Sequence, residues 1–128
     1  MKLLLDTCTF LWLGLDSDRL SRKAAAAFLD PANENFLSAA SSWEIAIKHT
    51  AGRLSLPGSP EHFISEAREK SGIATLIVDE ECALQTTRLP RLHNDPFDRM
   101  LVAQAMIHGM IIVTSDEAIA RYGVRVLW

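Results

Sequence analysis

The chain has 128 residues, 48% hydrophobic and 23% charged. That is an ordinary globular balance and the length of one domain, 1–128, able to bury roughly two-thirds of its unfolded surface. With a net charge of −3 and no strong basic stripe, charge alone gives no support for a nucleic-acid partner. No apolar run is long enough for a membrane span. Three leucines after Lys2 fall short of a signal peptide. Cys8 and Cys82 make no disulfide framework, so a reducing cytoplasm is expected, with each cysteine a small buried hydrophobe.

In chain order, residues 2–6 (KLLLD) form a short apolar run of buried-strand type. A short helix is expected over 8–15 and an alanine-rich one over 21–30, with Ser21 as N-cap and Pro31 beyond its end. Residues 35–38 are a strand. Residues 40–52 are a helix with Trp43, Ile47 and Leu54 at roughly helical spacing and Gly52 near its C-cap. A loop follows over 53–59. Ser59-Pro60 opens a helix that runs to about Ser71 and closes at Gly72. Residues 74–78 read as a strand, 79–89 as a helix and 90–95 as a loop. Asp95-Pro96 opens a helix to about His108, ended by Gly109. Strand 110–114, short helix 116–121 and strand 124–127 complete the chain.

Apolar strands alternating with helices predict an α/β fold, a parallel sheet covered on both faces. Ligands of such folds sit at the carboxyl ends of the strands. Four acids are expected at that edge. Asp6 ends the first strand, Glu44 lies in the first turns of the helix leaving the second, and Asp116 follows the fourth by two residues. Helix 96–108 feeds through one glycine into the fourth strand, so it runs antiparallel to it and brings Asp98 to the same edge.

Each acid also has a purely structural reading. Asp6 could cap the next helix, and so could Asp116 or Ser115. Asp95 is a good N-cap ahead of Pro96, and Asp98 would then favour the helix dipole by about 0.3–1 kcal/mol. Glu44 and Lys48 stand in the favourable order for a helix surface pair. Arg99 admits three readings: a partner for Asp98, a phosphate contact, or a solvated charge. The four histidines share no ligand spacing, and no cysteine cluster suggests zinc.

The grouping carries the signal. Two like charges ~4 Å apart near a surface cost on the order of 4 kcal/mol, so four carboxylates take up protons unless a cation joins them. Oxygen-only donors favour Mg²⁺ or Mn²⁺, and phosphodiester hydrolysis is the chemistry such an ion suits. With the four acids set aside, 12 acidic residues face 13 basic ones, so the acidic balance is no larger than a metal site explains.

DTCTFLWL after the first strand, SSWEIAIKHTAGRL, HNDPFDRMLVAQA and IIVTSDEAI, taken in order over nearly the whole chain, resemble the PIN domain family, closely its VapC-like toxin branch. The resemblance implies a three-layer α/β/α fold. It also implies a metal-dependent ribonuclease, the toxin of a type II toxin–antitoxin pair, cutting structured RNA such as tRNA. It carries the family's acids onto Asp6, Glu44, Asp98 and Asp116, with the hydroxyl before the last acid matched by Thr114 and Ser115. A homodimer and a cognate antitoxin that buries a segment against the acids are implied as well.

The expected roles follow. Asp6 and Asp98 are the principal ligands of Mg²⁺ or Mn²⁺, and Asp116 completes the set. Glu44 serves a second metal or orients the attacking water. Thr7, Thr114, Ser115 and Arg99 contact substrate or hold the acids. Two rival readings stay open. One is a phosphoaspartyl-type phosphatase, disfavoured because Thr7, Cys8 and Thr9 follow Asp6 where a second Asp would be wanted. The other is a non-catalytic module binding RNA or protein through the acidic cleft.

Overall fold

Three consecutive leucines after Lys2 leave no polar face for solvent, so the strand they form has to be covered on both sides. In the computed structural model, which describes all residues from Met1 to Trp128, that strand is β1 (Lys2–Leu5), with Leu3, Leu4 and Leu5 wholly buried. The chain continues through α1 (Thr7–Gly14), α2 (Arg22–Leu29), β2 (Glu34–Ser38), α3 (Ala39–Thr50) and α4 (Pro60–Ser71). Then come β3 (Ala74–Leu76), α5 (Glu80–Gln85), a 3₁₀ turn (Thr86–Arg88), α6 (Pro96–His108), β4 (Ile111–Val113), α7 (Glu117–Ala120) and β5 (Val126–Leu127).

The five strands make one parallel sheet in the order β3-β2-β1-β4-β5. Side chains alternate across a strand, and β1 divides its leucines accordingly. Leu3 and Leu5 join Phe10, Ala24, Ile45 and Phe63 from α1 to α4 on one face. Leu4 meets Leu101, Val102, Ala105 and Ile119 from α6 and α7 on the other. This is the α/β/α layering expected. From β1 the chain winds outward to β2 and β3 on one side, then returns to place β4 and β5 on the other. The switch point is therefore the gap between β1 and β4, where such sheets bind ligands at their carboxyl ends.

The punctuation residues act as their chemistry requires. Ser21, Ser59 and Asp95 each accept a backbone N–H at the start of a helix. Pro60 and Pro96 stand in the first helical turn. Gly72 and Gly109, at φ 63° and 64°, close α4 and α6 in the left-handed region.

Four expectations are corrected. Strand 74–78 stops at Leu76, because the next carbonyl, that of Ile77, accepts from the Gln104 side chain at 3.0 Å instead of continuing a ladder. Helix 79–89 tightens into a 3₁₀ turn, where the Thr86 and Thr87 hydroxyls bond back to the carbonyls of Ala83 and Leu84. On α3 the inward face carries Ala40, Ser41, Glu44 and Ile45, while Trp43 is 64% exposed. Cys82 is buried as expected; Cys8 is exposed.

Leu4 supports the α6 face that positions Asp98. Its truncation to Ala is expected to destabilise the fold by about 2–5 kcal/mol, read as a lowered urea midpoint with unchanged slope.

Candidate active site

Sheet register brings the first acid beside a hydroxyl. Leu5 pairs with Val113, so Asp6 and Thr114, one step on, stand side by side at the end of the switch point. Asp6 is an N-cap after all: one carboxylate oxygen accepts from the Thr9 amide at 2.8 Å. Its other oxygen accepts from the Thr114 hydroxyl. That hydroxyl in turn accepts from the Asp116 amide at 2.9 Å, and the Thr9 hydroxyl donates to the Val113 carbonyl at 2.9 Å. The ends of β1 and β4 are thus stitched by threonines, with Asp6, Thr9 and Thr114 all buried.

Glu44 arrives from the second turn of α3, 5% exposed. The Thr7 hydroxyl donates to one of its oxygens at 2.6 Å, and Lys48 Nζ to the other at 2.6 Å. The helix pair anticipated for Glu44 therefore forms, yet it forms at the cleft. Asp98 lies in the first turn of α6 with its side chain 19% exposed. Asp95 keeps the capping role, accepting from the amides of Phe97 and Asp98 at 2.9 and 3.2 Å. Asp116 caps α7 through Ala118 and is exposed, as is Ser115.

The acids feel one another. Burial pushes the Asp6 carboxyl up, against the hydrogen bonds from Thr114 and Thr9 that favour its charged form, and the charge of Asp116 adds to the rise. Asp98 is pushed up to about 6, first by burial, then by Asp95, with Asp116 and Glu44 adding and the His93 bond opposing. Cys8 reaches the surface, but its thiol is partly shielded and pushed up, by that desolvation first and then by Asp6 and Glu44. Cys8 therefore stands among the acids, with little thiolate character at neutral pH.

The donor set is compatible with a hard divalent ion. The cleft offers carboxylate oxygens in excess of cations. No three His, Cys, Asp or Glu side chains are drawn tightly enough to cage an ion by themselves. Mg²⁺ suits such an open arrangement, since it is commonly held by one or two carboxylates and keeps most of its waters.

Sequence reasoning set His93 aside for want of ligand spacing, and Tyr122 gave no signal. The structure joins both to Asp98. Arg99 donates to the Tyr122 hydroxyl at 3.0 Å, that hydroxyl lies 2.6 Å from His93 Nδ1, and His93 Nε2 lies 3.3 Å from Asp98 Oδ2. Arg99 can only donate, so Tyr122 accepts from it, and its own proton is available to Nδ1. When the phenol proton is given to Nδ1, the neutral imidazole carries its proton on Nε2, facing Asp98. The same guanidinium donates to the carbonyls of Pro90 at 2.8 Å and Thr86 at 3.0 Å. Of the three readings of Arg99, the ion pair with Asp98 does not form: the guanidinium clamps the loop before α6 instead. His93 lies in the loop just before the helix that carries Asp98, five residues away, a proximity visible in sequence; Tyr122 is brought in by the fold alone.

Comparison with protein families matches residues 3–125 to the family described as the PIN domain. Comparison with curated proteins returns no match. Among solved structures, the fold is similar to that of FitAcB from Neisseria gonorrhoeae, at 22% identity and TM-score 0.62, covering 97% of this chain and 95% of that one. It is also similar to VapBC2 from Rickettsia felis bound to a DNA fragment from their promoter, at 12% identity and TM-score 0.73, with 98% and 97% covered. VapBC-1 from nontypeable Haemophilus influenzae matches at 16% identity and TM-score 0.66, with 98% and 96% covered.

The raised Asp98 pKa fixes a pH dependence. Between the ordinary value of 3.8 and about 6, the native state holds a proton that the unfolded state has released. Stability of the metal-free protein contributed by this group therefore falls as pH rises through that window, and the penalty is complete above it. In EDTA, Asp98→Asn is expected to melt above the parent near neutral pH and to converge with it below about pH 4. Thermal unfolding across pH measures this; a constant offset at every pH would contradict it.

Proposed function

Because the chain belongs to the PIN domain family, we propose that it is a metal-dependent endoribonuclease, the toxin of a type II toxin–antitoxin pair, acting on tRNA or another structured RNA. PIN domains are typically nucleases and generally metal-dependent. The observation that carries the reading is the set of four carboxylates at the switch point, where burial first, then Asp95, and to a lesser degree Asp116 and Glu44 push the Asp98 carboxyl up to about 6. The resemblance of the motifs to VapC-like toxins, and the fold shared with VapBC2 and VapBC-1, support the toxin branch.

In this reading Asp6 and Asp98 are the principal ligands of Mg²⁺ or Mn²⁺, and Asp116 completes the set. When bound, the ion activates a water and offsets charge building on the phosphate. The remaining work belongs to the chain. Thr114 and Thr9 hold the Asp6 carboxylate in one orientation while leaving lone pairs on both oxygens. His93, backed by Tyr122 and Arg99, orients Asp98. Glu44 is fixed between Thr7 and Lys48, placed to orient the attacking water or to serve a second metal. A cognate antitoxin would silence the site by setting a basic side chain among the acids, and a homodimer is the assembly the family resemblance implies. No helix is long and apolar enough to cross a membrane.

Purified, antitoxin-free protein is expected to cut total cellular RNA into discrete fragments with Mg²⁺ or Mn²⁺ and not with EDTA. Asp98→Asn should abolish cutting without unfolding the chain. Folded, metal-loaded protein that leaves RNA intact would overturn the nuclease reading; an active Asp98→Asn variant would overturn the site. Tyr122→Phe, which removes only the hydroxyl linking Arg99 to His93, should lower activity or metal affinity roughly tenfold, seen as a rise in the Mn²⁺ concentration needed for half-maximal cleavage.

A further inference from the structure

Beside the acid cluster, with the His93 ring as part of its wall, lies a cavity of opposite character. It encloses about 310 Å³ and is lined by Thr86, Arg91, His93, Asn94, Arg99 and Met100, together with Pro96. No carboxylate lines it. None of the chain's four ion pairs includes Arg91 or Arg99. Arg91 is exposed, with its guanidinium unengaged.

Arg99 is the more informative of the two. A guanidinium has five N–H donors. Three are spent on the Pro90 and Thr86 carbonyls and the Tyr122 hydroxyl, which leaves two. All three acceptors are neutral, so a half-buried positive charge stands in the wall without a counter-charge. Such a charge is costly unless an anion joins it. Paired N–H donors also match the oxygens of a phosphate.

We propose that this cavity is a phosphate subsite: Arg91 and Arg99 bind a backbone phosphodiester of a single-stranded RNA segment and so seat the strand whose neighbouring linkage reaches the carboxylates. The proposal rests on the reading of the chain as an RNA enzyme and names the part of the surface that holds the substrate. It also addresses an electrostatic difficulty. A cleft of four acids in a chain of net charge −3 repels RNA, and general attraction cannot overcome that. A local cationic cavity adjoining the acids can. His93 divides the two regions: its Nε2 faces Asp98 while its ring borders the cavity.

The test is fluorescence anisotropy of a labelled single-stranded oligoribonucleotide with the full chain in EDTA, over a series of salt concentrations. Arg91→Ala is expected to weaken binding roughly tenfold and to reduce the salt slope by about 0.7, the loss of one phosphate contact on a single strand. Arg91→Lys should keep most of the slope. Arg53→Ala makes the same change in net charge just past α3, a helix that leaves the carboxyl edge and ends at the opposite one. It should leave affinity and slope as they were. Equal binding by the parent, Arg91→Ala and Arg53→Ala would overturn the subsite, as would a parent that binds no RNA. Cleavage assayed in parallel keeps the two readings apart. Arg91-dependent binding without cleavage sinks the nuclease and keeps the subsite; cleavage with Arg91-independent binding does the reverse.

Discussion

A buried carboxylate at the end of the central strand is the constraint on which this molecule is arranged. Three leucines fix β1 in the middle of the sheet, and the next residue is Asp6, 6% exposed. A carboxylate so placed must be hydrogen-bonded or give up its charge. The fold supplies the Thr9 amide from α1 and the Thr114 hydroxyl from the end of β4. Thr114 can serve only because β4 lies beside β1 in register, and that in turn requires the chain to switch sides of the sheet. The cleft, the strand order and the hydrogen bonds of Asp6 are one solution to one electrostatic problem.

The structural roles of these acids leave room for the chemical ones proposed for them. Asp6 and Asp116 are helix caps, and Glu44 is half of an i,i+4 ion pair. A cap uses one lone pair of a carboxylate that offers about four, so capping fixes the side chain without exhausting it. The Asp6 cap makes the acid more rigid, which a metal ligand needs. For Asp6 and Asp116, then, the capping role does not decide against the proposed ligand role; for Asp95 the capping bonds to Phe97 and Asp98 account for the residue.

Much of this arrangement was legible because it depends on local chemistry. The Pro60 to Gly72 and Pro96 to Gly109 helices are bounded in the structure as their end residues dictate. The placement of acids at strand ends follows from strand–helix alternation alone. What escaped depends on distance. Tyr122 reaches His93 across 29 residues and Arg99 across 23, and nothing in spacing announces such a bond. On α3, Trp43 and Ile47 have the apolar character of a core stripe, yet the helix is rotated so that Glu44 points inward and Trp43 outward. Thr7 holding one oxygen of the Glu44 carboxylate and Lys48 the other shows what fixes the buried end of that rotation. A periodicity argument that counts only apolar residues does not see a carboxylate competing for the inward face.

The partners of the acids also sort their roles. Lys48 sits directly on Glu44, so this acid already has a cation and gains least from a metal. Asp98 is treated differently. Its neighbour in sequence is Arg99, yet that guanidinium turns away to Pro90, Thr86 and Tyr122. Its influence reaches Asp98 only through a phenol and an imidazole. A direct Arg99–Asp98 pair would neutralise the carboxylate and compete with any ion brought to it. The relay instead gives Asp98 a donor that orients it without a fixed counter-charge, so burial still holds the carboxyl up at about 6 against the His93 bond rather than in the low range of an ion-paired acid. Keeping the arginine off Asp98 also leaves its positive charge on the far side of His93, facing the cavity that lacks carboxylates. One helix start therefore presents opposite charges to two adjoining surfaces, the division that a metal-assisted attack on a polyanionic strand requires.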